Sequence, residues 1–301
     1  MTNDIASLVA VSFGVGIIIG LTGMGGGALM TPALIFLGVP PTSAVANDLV
    51  AASVNKSVGA AVHWHKGAPN LALAGWLIVG SVPTAFAGAF IVKGVGGVAD
   101  HEALVKTALG FALLLTATTY ALRQFLALHQ RIIVTVDDPP IRILRTVLIG
   151  AVGGLCVGIT SVGSGSLIMV ALLILYPGLS AIRLVGTDLV QSIPLVAAAA
   201  LSHVLVTGVD WSVLIPLIVG GTPGTFLGAR LAHKASQSLL RRGITIILAI
   251  TGVGMLGAPP WAIASTALGL VTLGPLVWAS IRVRLGLSPF IRWPELKFRG
   301  A

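Results

Sequence analysis

The chain has 301 residues, of which 56% are hydrophobic and 9% charged, and its mean hydropathy is +1.02. So few charges cannot cover a soluble protein of this length, so the composition excludes one and points to an integral, all-α membrane protein. The net charge of +9 does not signal nucleic-acid binding, because the basic residues sit in short loops and at the C-terminus, where membrane orientation puts them.

Met1–Asp4 carries an acid in place of a basic n-region, so the first apolar segment is expected to remain as a membrane helix. That segment covers residues 5–21, breaks at 22–27 and resumes over 28–37. Pro40-Pro41 turns the chain. Helices are expected at 43–64, 71–92 and 103–128, with a polar turn at 65–70 and a Gly-rich loop before 103. Residues 129–142 form the one clearly polar stretch. Apolar segments follow at 143–160, 166–176, 181–206, 211–232 and 239–256, with a second break at 161–165. Pro259-Pro260 leads into a last helix, 261–281, and a basic tail. The single cysteine, Cys156, lies in an apolar run and supports no disulfide or metal cluster; no cofactor is expected.

The chain repeats itself at a shift of 140 residues. Leu21-Thr22-Gly23-Met24-Gly25-Gly26-Gly27-Ala28-Leu29 is answered about 140 residues later by Ile159-Thr160-Ser161-Val162-Gly163-Ser164-Gly165-Ser166-Leu167. The shift also maps Asp48 onto Asp188, His63 onto His203, Gly80 onto Gly220, Pro83 onto Pro223 and Gly88 onto Gly228. The expected organisation is a first transmembrane repeat at 1–128, a cytoplasmic linker at 129–142, a second repeat at 143–257, and an extra helix with a basic cytoplasmic tail at 258–301.

Charge decides how the copies are oriented. If each broken segment crosses once, the copies run parallel, and Lys66, Arg123, Arg131, Arg142 and Arg145 fall outside. If each break sends the chain back, as a re-entrant hairpin or as two short spans, the copies are inverted. Fifteen of the 18 basic residues then fall inside; only Lys93 and Lys106 fall outside, and Lys56 stays in the membrane. The positive-inside rule therefore favours two inverted repeats of about four helices plus a Gly-broken segment each.

Only Asp48 and Asp188 among the acids, and Lys56 among the bases, are expected within membrane helices. An ionisable group there is costly unless it meets a partner or water, which makes it a functional candidate. On a helical wheel Asp48, Asn55, Lys56 and His63 share one face; Asp188, Gln191 and His203 form a similar stripe in the second copy, where Val196 replaces Lys56. Asp48 and Asp188 could instead cap helix starts, and the glycines could serve packing alone. In the functional reading, Gly25, Gly26 and Gly27 let the backbone approach a ligand, and the half-helix after them offers unpaired N–H groups to an anion. Thr160, Ser161, Ser164 and Ser166 supply hydroxyls at the second break. The two breaks, joined by Lys56, would form one site for a small anion. Asp48, Asp188, His63 and His203 are candidates for gating or for carrying a coupled proton.

The chain resembles the sulfite exporter TauE/SafE family of membrane transporters. The resemblance rests on Gly23-Met24-Gly25-Gly26-Gly27 running into Pro32, on Asn47-Asp48-Leu49, and on Lys56 with Gly59 and His63. In the second half it rests on Gly186-Thr187-Asp188-Leu189, Pro194, His203 and Gly220 through Gly228. It implies export of a small anion, such as sulfite or an organosulfonate, across a bacterial inner membrane. Other readings of the same residues are an anion channel, a carboxylate transporter, or an intramembrane serine hydrolase pairing Ser164 with His203.

Overall fold

The structure, a computed structural model, describes residues 5–22, 26–63, 69–129, 140–232 and 237–284. Among them are eleven helices and no strand. Helices α1 (Ile5–Thr22) and α2 (Gly27–Phe36) flank the first break, and α3 (Pro41–His63), α4 (Leu71–Lys93) and α5 (Val98–His129) complete the first half. Helices α6 (Ile143–Thr160) and α7 (Leu167–Leu175) flank the second break, followed by α8 (Ala181–Val206), α9 (Trp211–Leu231) and α10 (Gln237–Met255). These ten belong to one compact unit, Met1–Leu256, whereas α11 (Pro260–Arg284) belongs to another, Gly257–Ala301.

The helices fall within three residues of the expected segments, except at the start of α5. The Asp100 carboxylate accepts from the Gly97 N–H at 3.0 Å, and the N–H groups of Asp100 and His101 return to the Gly97 carbonyl. This closes a helical turn inside the Gly-rich loop, ahead of the expected start at 103.

Among the described residues, seven helices (α1, α4, α5, α6, α8, α9 and α11) contain stretches long and apolar enough to cross a membrane. Helix α3 has 23 residues, enough in length, but its polar stripe of Asn47, Asp48, Asn55 and Lys56 lowers its hydropathy. Helices α2 and α7 have 10 and 9 residues. At 1.5 Å per residue they reach only about 15 Å, roughly half of the hydrocarbon thickness. Each is a half-helix.

Glycines set the closest packing. Gly16 and Gly20 of α1 meet Gly221 and Thr225 of α9, while Gly220, Gly224 and Gly228 of α9 meet Val9, Phe13 and Ile17 of α1. A Cβ on any of these glycines would run into the neighbouring backbone, as in small-residue membrane interfaces. Residue numbers rise together on both helices, so α1 and α9 run parallel. Helices α4 and α6 pack the same way, through Gly80 on Val147, Gly154 on Ser81 and Gly158 on Ala85.

Helix α3 follows the direction of α9, with Asn55 hydrogen-bonded to Thr222 and Ala44 and Ala51 in one cluster with Val213, Leu214 and Leu217. Helices α3 and α8 run oppositely. Asn70, just beyond α3, bonds to Thr187 near the start of α8, whereas Ser43 near the start of α3 shares a cavity with Thr207–Ser212 beyond α8. Leu49, Leu77, Leu172 and Leu195 join α3, α4, α7 and α8 in a shared apolar core. Large side chains such as Phe36, Val79, Phe111, Leu148 and Val219 stay exposed on the outside, the expected surface of a body solvated by lipid.

Candidate functional site

The second break is built by a backbone reversal at Ser161. This residue ends α6 in the left-handed region, at φ 62°, and its N–H closes the last turn on Val157 O at 2.8 Å. The next N–H, that of Val162, leaves the helical ladder and bonds to Thr160 Oγ1 at 3.2 Å. In a continuing helix it would have met the carbonyl of Gly158. That carbonyl lies 2.7 Å from His203 Nε2. A carbonyl can only accept, so His203 Nε2 carries the proton and donates it. His203 thus satisfies the carbonyl that the break releases.

The first break meets the second here. Gly27 opens α2 with its Cα against the backbone and hydroxyl of Ser161, leaving no room for a Cβ. Asp48, 2% exposed, ties the two together. Its Oδ2 accepts from Thr31 Oγ1 at 2.7 Å and from Ser161 Oγ at 2.6 Å. Gly26 lies beside the other carboxylate oxygen.

Neither Asp48 nor Asp188 caps its own helix. At the start of α3 it is Glu102 that accepts, from the Thr42 N–H at 3.0 Å and from the Thr42 hydroxyl. At the start of α8, Ser180 Oγ accepts from the Arg183 N–H at 3.4 Å. Asp48 and Asp188 each lie about two turns further in.

Lys56 reaches across to the other half and donates to Ser164 Oγ at 2.7 Å. The carboxylates acting on its charge are Asp188 and Asp48. Asp188 accepts from Gln191 Nε2 at 2.9 Å. A carboxylate only accepts, so the amide nitrogen must face it, and Gln191 Oε1 is left buried without a hydrogen-bond partner among the described residues. A charge at the middle of a membrane costs roughly 2.5–3.5 kcal/mol on insertion scales. Mutual attraction between one ammonium and two carboxylates offsets part of that cost. Beside this group, Ala28, Thr116, Tyr120, Ser161, Ser164 and Ser166 line a cavity of ≈ 10 Å³, room for about one water.

The structure therefore gathers Gly26, Gly27, Asp48, Lys56, Ser161 and Ser164 at the meeting of the breaks, while Asp188 pairs with Gln191 one turn along α8. The other candidates have different partners. Thr160 bonds to Cys156 O and Val162 N within its own helix end. Ser166 lies 3.5 Å from Thr116 Oγ1. Asn55 Oδ1 accepts from Thr222 Oγ1 at 2.8 Å. His203 faces Gly158, so the pairing with Ser164 that a hydrolase needs is not formed. Gly25 and the side chain of His63 lie outside the described residues.

Sequence reasoning gave no site role to Thr31, Thr116 or Thr222. Thr31 carried a signal, as the one polar side chain in α2. Thr116 and Thr222 lie in helices with several hydroxyls, and nothing in their spacing singles them out.

Comparison with known proteins agrees with this architecture. The family model described as "Sulfite exporter TauE/SafE" matches residues 8–255. A "Probable membrane transporter protein YjnA" of Bacillus subtilis (strain 168) is 35% identical over 255 residues, covering 83% of this chain and 99% of that protein. A second Bacillus subtilis protein, "Probable membrane transporter protein YdhB", is 25% identical over 252 residues, covering 83% and 99%. A "Probable membrane transporter protein" of Xylella fastidiosa (strain 9a5c) is 29% identical over 248 residues, covering 78% and 88%. No solved structure matches the chain. A multi-pass helical body with paired half-helices, matched by the family model from α1 through α10, belongs to the sulfite exporter TauE/SafE family of membrane transporters.

Proposed function

We propose that the protein is a secondary transporter, working as an exporter, for a small anion such as sulfite or an organosulfonate, in a bacterial inner membrane. The observation that carries this reading is the 2.7 Å bond from Lys56 Nζ to Ser164 Oγ. A membrane-embedded ammonium from one half of the chain rests on the broken helix of the other half. An incoming oxyanion can replace the serine hydroxyl as the acceptor and gain a stronger, charge-assisted hydrogen bond.

Two inverted repeats surround this site in the proposed architecture. The antiparallel course of α3 and α8, which occupy equivalent places in the two repeats, supports inversion. In such transporters half-helix ends meet near the midplane, and access alternates by rocking around them. The ≈ 10 Å³ cavity is too small for an oxyanion, so substrate entry must part the breaks. Gly26, Gly27, Asn55, Ser161, Ser164 and Gln191 are the proposed neighbours of the anion. Asp48 and Asp188 are the proposed carriers of a coupled proton: with Lys56 they already give a net charge of −1 when all three are ionised, and a bound anion adds another.

The test is uptake and release of ³⁵S-sulfite by proteoliposomes carrying the purified protein, with and without a pH gradient. Sulfite flux that matches empty liposomes, while a panel of sulfonates and carboxylates is also ignored, would end the anion reading. Flux indifferent to the pH gradient would end proton coupling.

A further inference from the structure

Four residues related by the repeat form two potential bonds, and only one of them is made. Asn47 on α3 corresponds to Thr187 on α8, and Asn70 before α4 corresponds to Asp210 before α9. The local roles of the second pair match. Asn70 Oδ1 caps α4 by accepting from the Leu73 N–H at 2.9 Å, and Asp210 Oδ1 caps α9 by accepting from the Ser212 N–H at 2.9 Å.

At one end the loop is fastened to the opposite repeat. The Asn70 N–H donates to Thr187 Oγ1 at 3.0 Å, and Pro69 lies against Gly186. The equivalent bond at the other end would run from the Asp210 N–H to Asn47 Oδ1. It is absent: Asn47 Oδ1 is buried without a partner among the described residues. The Asn47 amide nitrogen is committed to Ser43, at 2.8 Å from its carbonyl and 3.1 Å from its hydroxyl. The amide orientation is thereby set, and the oxygen is the end left over. Beside it, Ser43 and Thr207–Ser212 line an open cavity of ≈ 500 Å³.

Because α3 and α8 run oppositely, the two positions lie towards opposite ends of this helix pair. Each adjoins an intramembrane carboxylate, Asn47 beside Asp48 and Thr187 beside Asp188. We propose that Asn47 with Asp210, and Thr187 with Asn70, are the two gates of the transport cycle, closed in alternation, and that the structure holds the Thr187 gate shut and the Asn47 gate open. The proposal rests on the alternating-access reading. Exchanging one bond for its counterpart leaves the total nearly unchanged, which keeps two states close enough in energy for a substrate to shift them. The buried, unpartnered Asn47 oxygen favours closure of the open gate.

The test uses two double-cysteine variants in a Cys156→Ser background, which removes the single native thiol. One carries Asn70→Cys with Thr187→Cys, the other Asn47→Cys with Asp210→Cys. Both are reconstituted and assayed for ³⁵S-sulfite flux before oxidation, after oxidation and after reduction; size-exclusion elution of the reduced protein reports correct folding, and each variant's flux is compared with its own reduced level. The proposal expects both pairs to cross-link, each cross-link to lower flux at least ten-fold, and reduction to restore it. If the Asn70/Thr187 pair cross-links and blocks flux while the Asn47/Asp210 pair never closes in an active protein, the gate assignment is overturned and alternating access stands. If both cross-links form and flux continues through both, alternating access itself is overturned.

Discussion

Ser161, in the broken segment after α6, donates a 2.6 Å hydrogen bond to the carboxylate of Asp48 on α3, and so fastens the two halves of the chain at their least regular point. Ser161 is also the one non-glycine residue with positive φ among the described residues, at 62°. A side chain in that region costs roughly 1–2 kcal/mol, and a hydrogen bond to a charged group returns about 1.5–3 kcal/mol. Ser161→Gly keeps the backbone and loses the bond; Ser161→Ala keeps the backbone cost and also loses the bond. Thermal unfolding in detergent should rank wild type above Ser161→Gly, and Ser161→Gly above Ser161→Ala by about 1 kcal/mol. An alanine variant as stable as wild type would show that the Asp48 bond contributes nothing.

Lys56 is expected to matter for flux more than for folding. Lys56→Ala should lower anion transport in proteoliposomes at least ten-fold, equivalent to about 1.4 kcal/mol or more of lost binding. Lys56→Arg should retain part of the activity, since a guanidinium keeps the charge but not the shape. Unchanged transport by Lys56→Ala would remove the residue from the site.

Gly27 has no room for a side chain, because a Cβ would strike the Ser161 backbone. Gly27→Ala should push the two breaks apart and reduce both the yield of folded protein and its activity. Gly14 on α1 has open space around its would-be Cβ, so Gly14→Ala should be nearly neutral. Size-exclusion profiles of the two variants, measured side by side, distinguish local crowding from a general dislike of alanine.

His203 supplies a donor to the Gly158 carbonyl released by the break. Losing the donor leaves a buried acceptor unsatisfied, at about 1–3 kcal/mol. His203→Leu should therefore destabilise the protein by that amount, while His203→Gln, which can still donate, should recover part of it. If both variants unfold at the same temperature as wild type, the carbonyl has another donor.

Much of the architecture could be read before the structure. Strong apolar periods bounded by Pro, Gly and charge located the helices to within three residues, because membrane helices need long uninterrupted apolar runs. Asp48 and Lys56 stood out because buried charge is rare in such a chain, and Ser164 because it supplies a hydroxyl at the second break. The partners were less visible. Nothing local announces that Asp48 meets Thr31 or that His203 meets Gly158, because those contacts depend on how segments more than a turn apart fold onto each other. The early start of α5 was hidden for a different reason: glycines read as loop, and the Asp100 cap that recruits them acts through three residues only.

The pairing of α1 with α9 and of α4 with α6 has a consequence for synthesis. Helix α1 ends at Thr22 and its partner begins at Trp211. At roughly 5–20 residues per second, an N-terminal helix waits on the order of 10–40 s for a partner about 190 residues later. During that time its glycine face, shaped for another backbone, is covered only by lipid. A ribosome stalled in the 129–142 segment would leave a nascent membrane segment without its counterpart, so the first half on its own is expected to be a substrate for quality-control proteolysis until the second half is supplied, in cis or as a separate fragment.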